Sequence, residues 1–139
     1  MIENASSSEL RSALQQHLDQ TRGHVARLER VFSACSLEPK ARSNAILDEM
    51  TGAAKDSTTN IEDRSLRDAA MVVNGNFVEH YEIAAYGSLA AFARHLGLHD
   101  AASLLEQTLN EEKEADAKLT RIGEQVLNPQ AAKRTAASA

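Results

Sequence analysis

Proline is almost absent from this chain, and that narrows its choice of fold more than any other feature. Only Pro39 and Pro129 occur, so the 89 residues between them carry none. Strand folds need frequent Gly/Pro turns and draw on β-branched and aromatic residues. This chain has six glycines, no Trp and 4% aromatics, with abundant Ala, Leu, Glu and Gln. The balance predicts an all-α protein and argues against a β-sandwich, a doubly wound α/β fold and a disordered chain. At 139 residues there is room for one domain.

Apolar periodicity divides the chain into four helical segments. The first runs over 8–33, with candidate caps at Ser6, Ser7 and Ser8 and a stripe of Leu10, Leu14, Leu18, Val25, Leu28 and Phe32. A short, weakly amphipathic segment over 42–55 reads as a crossover. The third, 63–96, is apolar nearly all round: Leu66, Ala70, Val73, Phe77, Ala84 and Ala91 on one side, Val72, Ile83, Tyr86, Leu89, Ala93 and Leu96 on the other. Such a helix is expected at the centre of its bundle, with Gly97 ending it. The fourth, 100–127, opens at Asp100 and carries Ala101, Leu105, Leu109, Ala115, Leu119, Ile122 and Val126; Asn128-Pro129 is expected to stop it. The expectation is an antiparallel bundle over 1–128 with a frayed tail over 129–139.

The net charge of −5 argues against nucleic acid as a main partner. No apolar run approaches the roughly 18 residues that span a bilayer, and the N-terminus shows no signal peptide. A single cysteine, Cys35, cannot form an internal disulfide, which points to a reducing compartment. A cytoplasmic protein is expected. No nucleotide-binding loop, paired-cysteine or nucleophile motif is present.

The informative residues are acids where the pattern demands apolar side chains. Glu79 and Glu82 project within about 60° of each other, in the sector of Val72, Ile83, Tyr86 and Leu89. Glu112 and Asp116 lie about 40° apart on the fourth helix, in the sector of Leu105, Leu109 and Leu119. Unpaired buried acids cost several kcal/mol each, so these must be protonated, ion-paired or metal-bound. His17, Thr21 and His24 line one face of the first helix. A set of Glu79, Glu82, Glu112 and Asp116 with one or both of His17 and His24 suits iron or manganese. The plain reading stands beside this one: a lone E-x-x-E is usually solvated, and Glu111, Glu114, His95 and His99 read as surface groups.

At Val78-Glu79-His80-Tyr81-Glu82-Ile83-Ala84-Ala85-Tyr86-Gly87 the chain resembles the YciE/YciF family of ferritin-like bacterial proteins. Glu9 through Leu18, His24 through Glu29, Leu66 through Ala70, and Leu104 through Asp116 support the likeness, which covers about 8–127. The resemblance implies a ferritin-like, rubrerythrin-related bundle with a di-iron or di-manganese carboxylate site, an association with stress response, and a homodimer or higher oligomer. It places Glu79/Glu82 and Glu112/Asp116 at family ligand positions, with Asp116 where the wider superfamily uses His; in the metal reading Tyr86 is a nearby hydrogen-bond donor. It also implies a preceding ligand-bearing helix, of which Met1 through Ala5 looks like the end. Gln20 and Thr21 stand where the superfamily carries a further Glu. Four outcomes stay open: one metal, weak binding, completion by a partner chain, or an empty site. The expected function is metal binding with reaction toward dioxygen or peroxide. The alternative is a metal-free helical module whose acids are satisfied by His17, His24 and Tyr86. Ferritin-type storage is less favoured, because no basis for a cage is visible.

Overall fold

Short polar side chains start three of the helices. A computed structural model describes the backbone of residues 2–137 and the side chains of residues 2–133. After a 3-10 turn at Ile2–Asn4, Ser7 accepts the Leu10 N–H and opens α1 (Ser8–Ala34). Asn44 accepts from Leu47 N–H before α2 (Ala45–Asn60), and Asp63 from Leu66 N–H before α3 (Arg64–His95). Helix α4 (His99–Ile122) has no side-chain cap. Asp100, the expected cap, sits instead in its first turn, where a carboxylate meets the positive end of the helix dipole. No strand occurs among the described residues.

Helices α1 and α3 close on Schellman motifs. Gly97 takes φ 71°, its N–H bonds the Arg94 carbonyl at 3.1 Å, and Leu98 N–H bonds the Ala93 carbonyl at 2.9 Å. The same arrangement ends α1, with Ser36 at φ 55° in the position that glycine usually fills. Helix α2 starts and ends later than the expected 42–55. Asn44 supplies its cap, and the Thr58 and Thr59 hydroxyls bond back to the Ala54 and Lys55 carbonyls, each at 2.8 Å, holding the last turn.

Two apolar clusters fix the topology. Ala5, Leu10 and Ala13 pack with Met71, Val72, Leu119, Ile122 and Leu127. At the far end Leu28, Val31 and Cys35 pack with Ala90, Ala93, Ala101, Ala102 and Leu105. Helices α1 and α3 therefore run parallel, and α4 runs antiparallel to both. Helix α4 packs on each of them and holds nine buried residues, while α2 packs on α3. Helix α3 lies between α2 and α4 as a central helix must, but it is not covered all round. Its outer stripe is exposed, with Leu66 at 48%, Val73 at 52% and Phe77 at 61%. The α3–α4 approach is close at Gly75, where an added Cβ would stand 2.8 Å from Leu119 Cδ1.

Asn128-Pro129 does not stop the fourth helix. A π turn over Gly123–Leu127 lets Asn128 N–H reach the Gly123 carbonyl, and α5 (Asn128–Ala137) continues. Proline is tolerated in the first turn of such a helix. Leu127 is buried, and so is Ala131 within the stretch expected as a tail; the side chains of 134–137 and all of residues 138–139 lie outside those described.

The N-terminal segment is tied down by Asp68. This buried carboxylate accepts from Ser6 N–H at 2.9 Å and Ser7 N–H at 2.7 Å. Hydrogen bonds to a charged group contribute about 1.5–3 kcal/mol each. Asp68→Ala should lower unfolding free energy by about 3 kcal/mol in urea titration; an unchanged midpoint would show that the segment is held by Ala5 and Leu10 packing alone.

Candidate metal centre

Three helices deliver the acids and imidazoles to the middle of the bundle. Glu79 lies one turn beyond Gly75, so the close α3–α4 approach brings it against Glu112 on α4. Glu112 is fully buried, at 0%, and Glu79 is 3% exposed. From α1, His17 sets Nε2 3.1 Å from Glu79 Oε1 and 3.9 Å from Glu112 Oε2. His17, Glu79, Glu82 and Glu112 each offer one donor atom, all within 4.8 Å of one another.

The acids are short of hydrogen bonds. Glu79 Oε2 and both Glu112 carboxylate oxygens are buried without a hydrogen bond. Burial pushes both groups well above the ordinary carboxylate range; the mutual repulsion of Glu79, Glu82 and Glu112 adds to it. Burial alone raises Glu82. His17 is shifted down, first by burial and then by the neighbouring His24. Tyr86 is pushed up to about 12, chiefly by burial with help from Glu82 and Glu112, so it stays a neutral phenol. Its ring meets that of His24 edge-on, with centroids 6.4 Å apart.

The remaining expected ligands are placed differently. His24 is 3% exposed and bridges two acids: Nε2 meets Glu111 Oε2 at 2.6 Å, and Nδ1 stands 3.2 Å from Glu112 Oε1. Asp116 does not join the four donors. It pairs with His80, Nδ1 to Oδ1 3.2 Å, beside the Asn76 side chain that donates to Thr120. Thr21 turns its hydroxyl back to the His17 carbonyl at 2.9 Å.

Glu111 is the residue that sequence reasoning missed. It accepts two bonds from Arg27, both 2.8 Å, which hold its carboxyl below the ordinary range. Arg27 also donates to the buried Thr108 hydroxyl at 2.8 Å. A weak signal existed: Arg27 lies three residues after His24, on the same face of α1.

With this geometry established, the family model described as a domain of unknown function, DUF892, is found to match residues 1–132. The chain belongs to the DUF892 family. Among DUF892-type relatives, protein YciF of Escherichia coli (strain K12) is 37% identical over 127 residues, which is 91% of this chain and 76% of YciF. The solved structure of the E. coli stress protein YciF superimposes with TM-score 0.87 at 35% identity, covering 91% of this chain and 80% of that one. YcfI from Rhodopseudomonas palustris, to which a structural role is ascribed, gives TM-score 0.83 at 39% identity over 86% of this chain and 76% of its own. The likeness to the YciE/YciF group and the ferritin-like all-α fold are thereby established.

The raised acids make a sign prediction. A carboxyl whose folded-state pKa is raised contributes stability below its unfolded value, near pH 4.3, and loses it as pH climbs through the folded value. Metal-free protein should therefore lose stability from mildly acidic toward alkaline pH. His17, shifted down, acts oppositely and weakens the fold only as pH falls below about 6.5. Glu79→Gln should stabilise metal-free protein at about pH 8 by on the order of 2 kcal/mol and have little effect near pH 4. Thermal melts across pH check this; equal effects at both ends would refute the buried-acid account.

Proposed function

We propose that this chain is a metal-binding, ferritin-like stress-response protein that holds iron or manganese through His17, Glu79, Glu82 and Glu112. The observation that carries the reading is the convergence of four donors within 4.8 Å, among groups with three carboxylate oxygens buried without a hydrogen bond. Oxygen-rich donors with one imidazole suit iron or manganese. The four donor atoms gather about one position, so the reading is of a single ion, without Asp116. Bound iron or manganese would supply redox reactivity toward dioxygen or peroxide.

The chain's own groups prepare the site. His24, fixed by Glu111 and Arg27, holds the Glu112 carboxylate from behind. Orienting partners of this kind set ligand geometry, and their loss typically costs about 10–100-fold in metal affinity. The stress role is drawn from the E. coli relative. No described helix is long and apolar enough to cross a membrane, which accords with a cytoplasmic location.

Metal analysis of protein from iron- and manganese-supplemented cells tests the reading. Near-stoichiometric metal is expected, lost in Glu79→Ala and weakened about 10–100-fold in His24→Ala. Metal-free protein, indifferent to both changes, would favour the helical module in which His17 and His24 satisfy the acids directly.

Self-association is the accompanying proposal. Leu89, Phe92 and Leu96 are exposed large apolar residues on one face of α3, a surface suited to a further copy of the chain. Sedimentation velocity should show a dimer or larger species; a monomer across the micromolar range would overturn it.

A further inference from the structure

Helix α1 is fastened at both ends and slack in the middle. Leu10 and Ala13 belong to one apolar cluster, Leu28, Val31 and Cys35 pack on the other, and His24 is buried against its acids. None of the residues from Leu14 to Gly23 is buried. A cavity of about 100 Å³ separates Leu14, His17 and Gln20 from Glu114, Ala115 and Lys118 of α4. Among the described residues, polar contacts tie this stretch to other helices at two points. His17 meets Glu79 and Glu112, and exposed Gln16 accepts from Lys118 at 2.7 Å.

Two residues loosen the backbone of the same stretch. Gly23 is helical, and a Cβ added to it would meet nothing within 4 Å, so no close approach calls for glycine. In an exposed helix interior, glycine favours the unwound chain because it regains more backbone freedom than alanine. Thr21 donates its hydroxyl to the His17 carbonyl at 2.9 Å, the acceptor its own N–H uses in the helix. When that backbone bond breaks, the carbonyl keeps a partner, so the turn opens at lower cost.

We propose that the turns of α1 from His17 to Gly23 are a gate over the acid cluster, opening while both ends of the helix stay docked, through which a divalent cation enters and leaves the folded chain. The cargo rests on the metal reading; the opening does not. His17 is the moving donor, leaving Glu79 as its turn unwinds and returning to close the site. His24, immediately past Gly23, stays with Glu111 and Glu112. Local opening belongs where apolar burial is least, and in α1 that is this stretch.

Amide exchange of the metal-free, full-length chain tests the gate. Relative to their intrinsic rates, Thr21 and Arg22 should exchange at least about tenfold faster than Leu28 and Val31 of the same helix, with little dependence on dilute urea. Equal protection and equal urea dependence would overturn the proposal, because α1 would then open only with the whole bundle. Gly23→Ala should slow exchange at Thr21 and Arg22 about fivefold; unchanged exchange there would also overturn it. Manganese(II) binding, followed by the free-ion EPR signal, reads the cargo. Gly23→Ala should slow uptake and release alike, each about fivefold, and leave affinity unchanged. An altered affinity at an unchanged uptake rate would place the effect at the ligands and overturn the gate. A chain that takes up no manganese refutes the metal reading and the cargo together, whereas the opening stands or falls on exchange.

Discussion

Two carboxyl groups packed between α3 and α4 with too few hydrogen bonds govern the middle of this molecule. Glu79 and Glu112 sit where a helical bundle wants leucine, and the surrounding helices cannot supply the donors that water would. The arrangement is tolerable only when something else bears the charge. A proton does so in the metal-free chain, which is why burial raises both groups. A cation would do so more completely, and it would relieve the repulsion among Glu79, Glu82 and Glu112 together.

The polar groups around that pair form two layers with different duties. His17 reaches the carboxylates from α1 and is itself held in the uncharged range by burial. Behind Glu112, the chain of His24, Glu111 and Arg27 ends in a two-pronged guanidinium–carboxylate pair, the geometry in which such pairs are strongest. That pair is partly open to solvent and screened; it is better understood as fixing where His24 points than as a large source of stability. Asp116 stands 3.2 Å from His80 Nδ1, which is itself bonded to the Asn76 carbonyl at 2.7 Å.

Much of the fold was legible because its signals are local. Proline scarcity specified helices; Ser7, Asp63 and Gly97 marked ends that the backbone uses. Glu79 and Glu82 were legible because they break an apolar sector of their own helix. What failed depended on neighbours. Periodicity shows that Leu66, Val73 and Phe77 share a face, but not whether anything covers it. Glu111 looked solvated because its partners lie on α1, and their meeting requires the α1–α4 register. Pro129 looked terminal because a π turn, which has no simple sequence mark, lets the helix pass it.

The parallel course of α1 and α3 has a consequence for how the site is assembled. Glu79, Glu82, Glu112 and Asp116 all belong to one hairpin of consecutive helices, joined through the tight Gly97 turn. Closing that hairpin requires a short loop and little chain entropy. His17 and His24 come from a helix separated from it by the whole α2 crossover. The acids can therefore gather before either imidazole arrives, and the nascent hairpin presents an acid cluster open to water. A cation captured at that moment would be enclosed by α1 rather than admitted through it, so metal supplied during folding need not be equivalent to metal added afterwards.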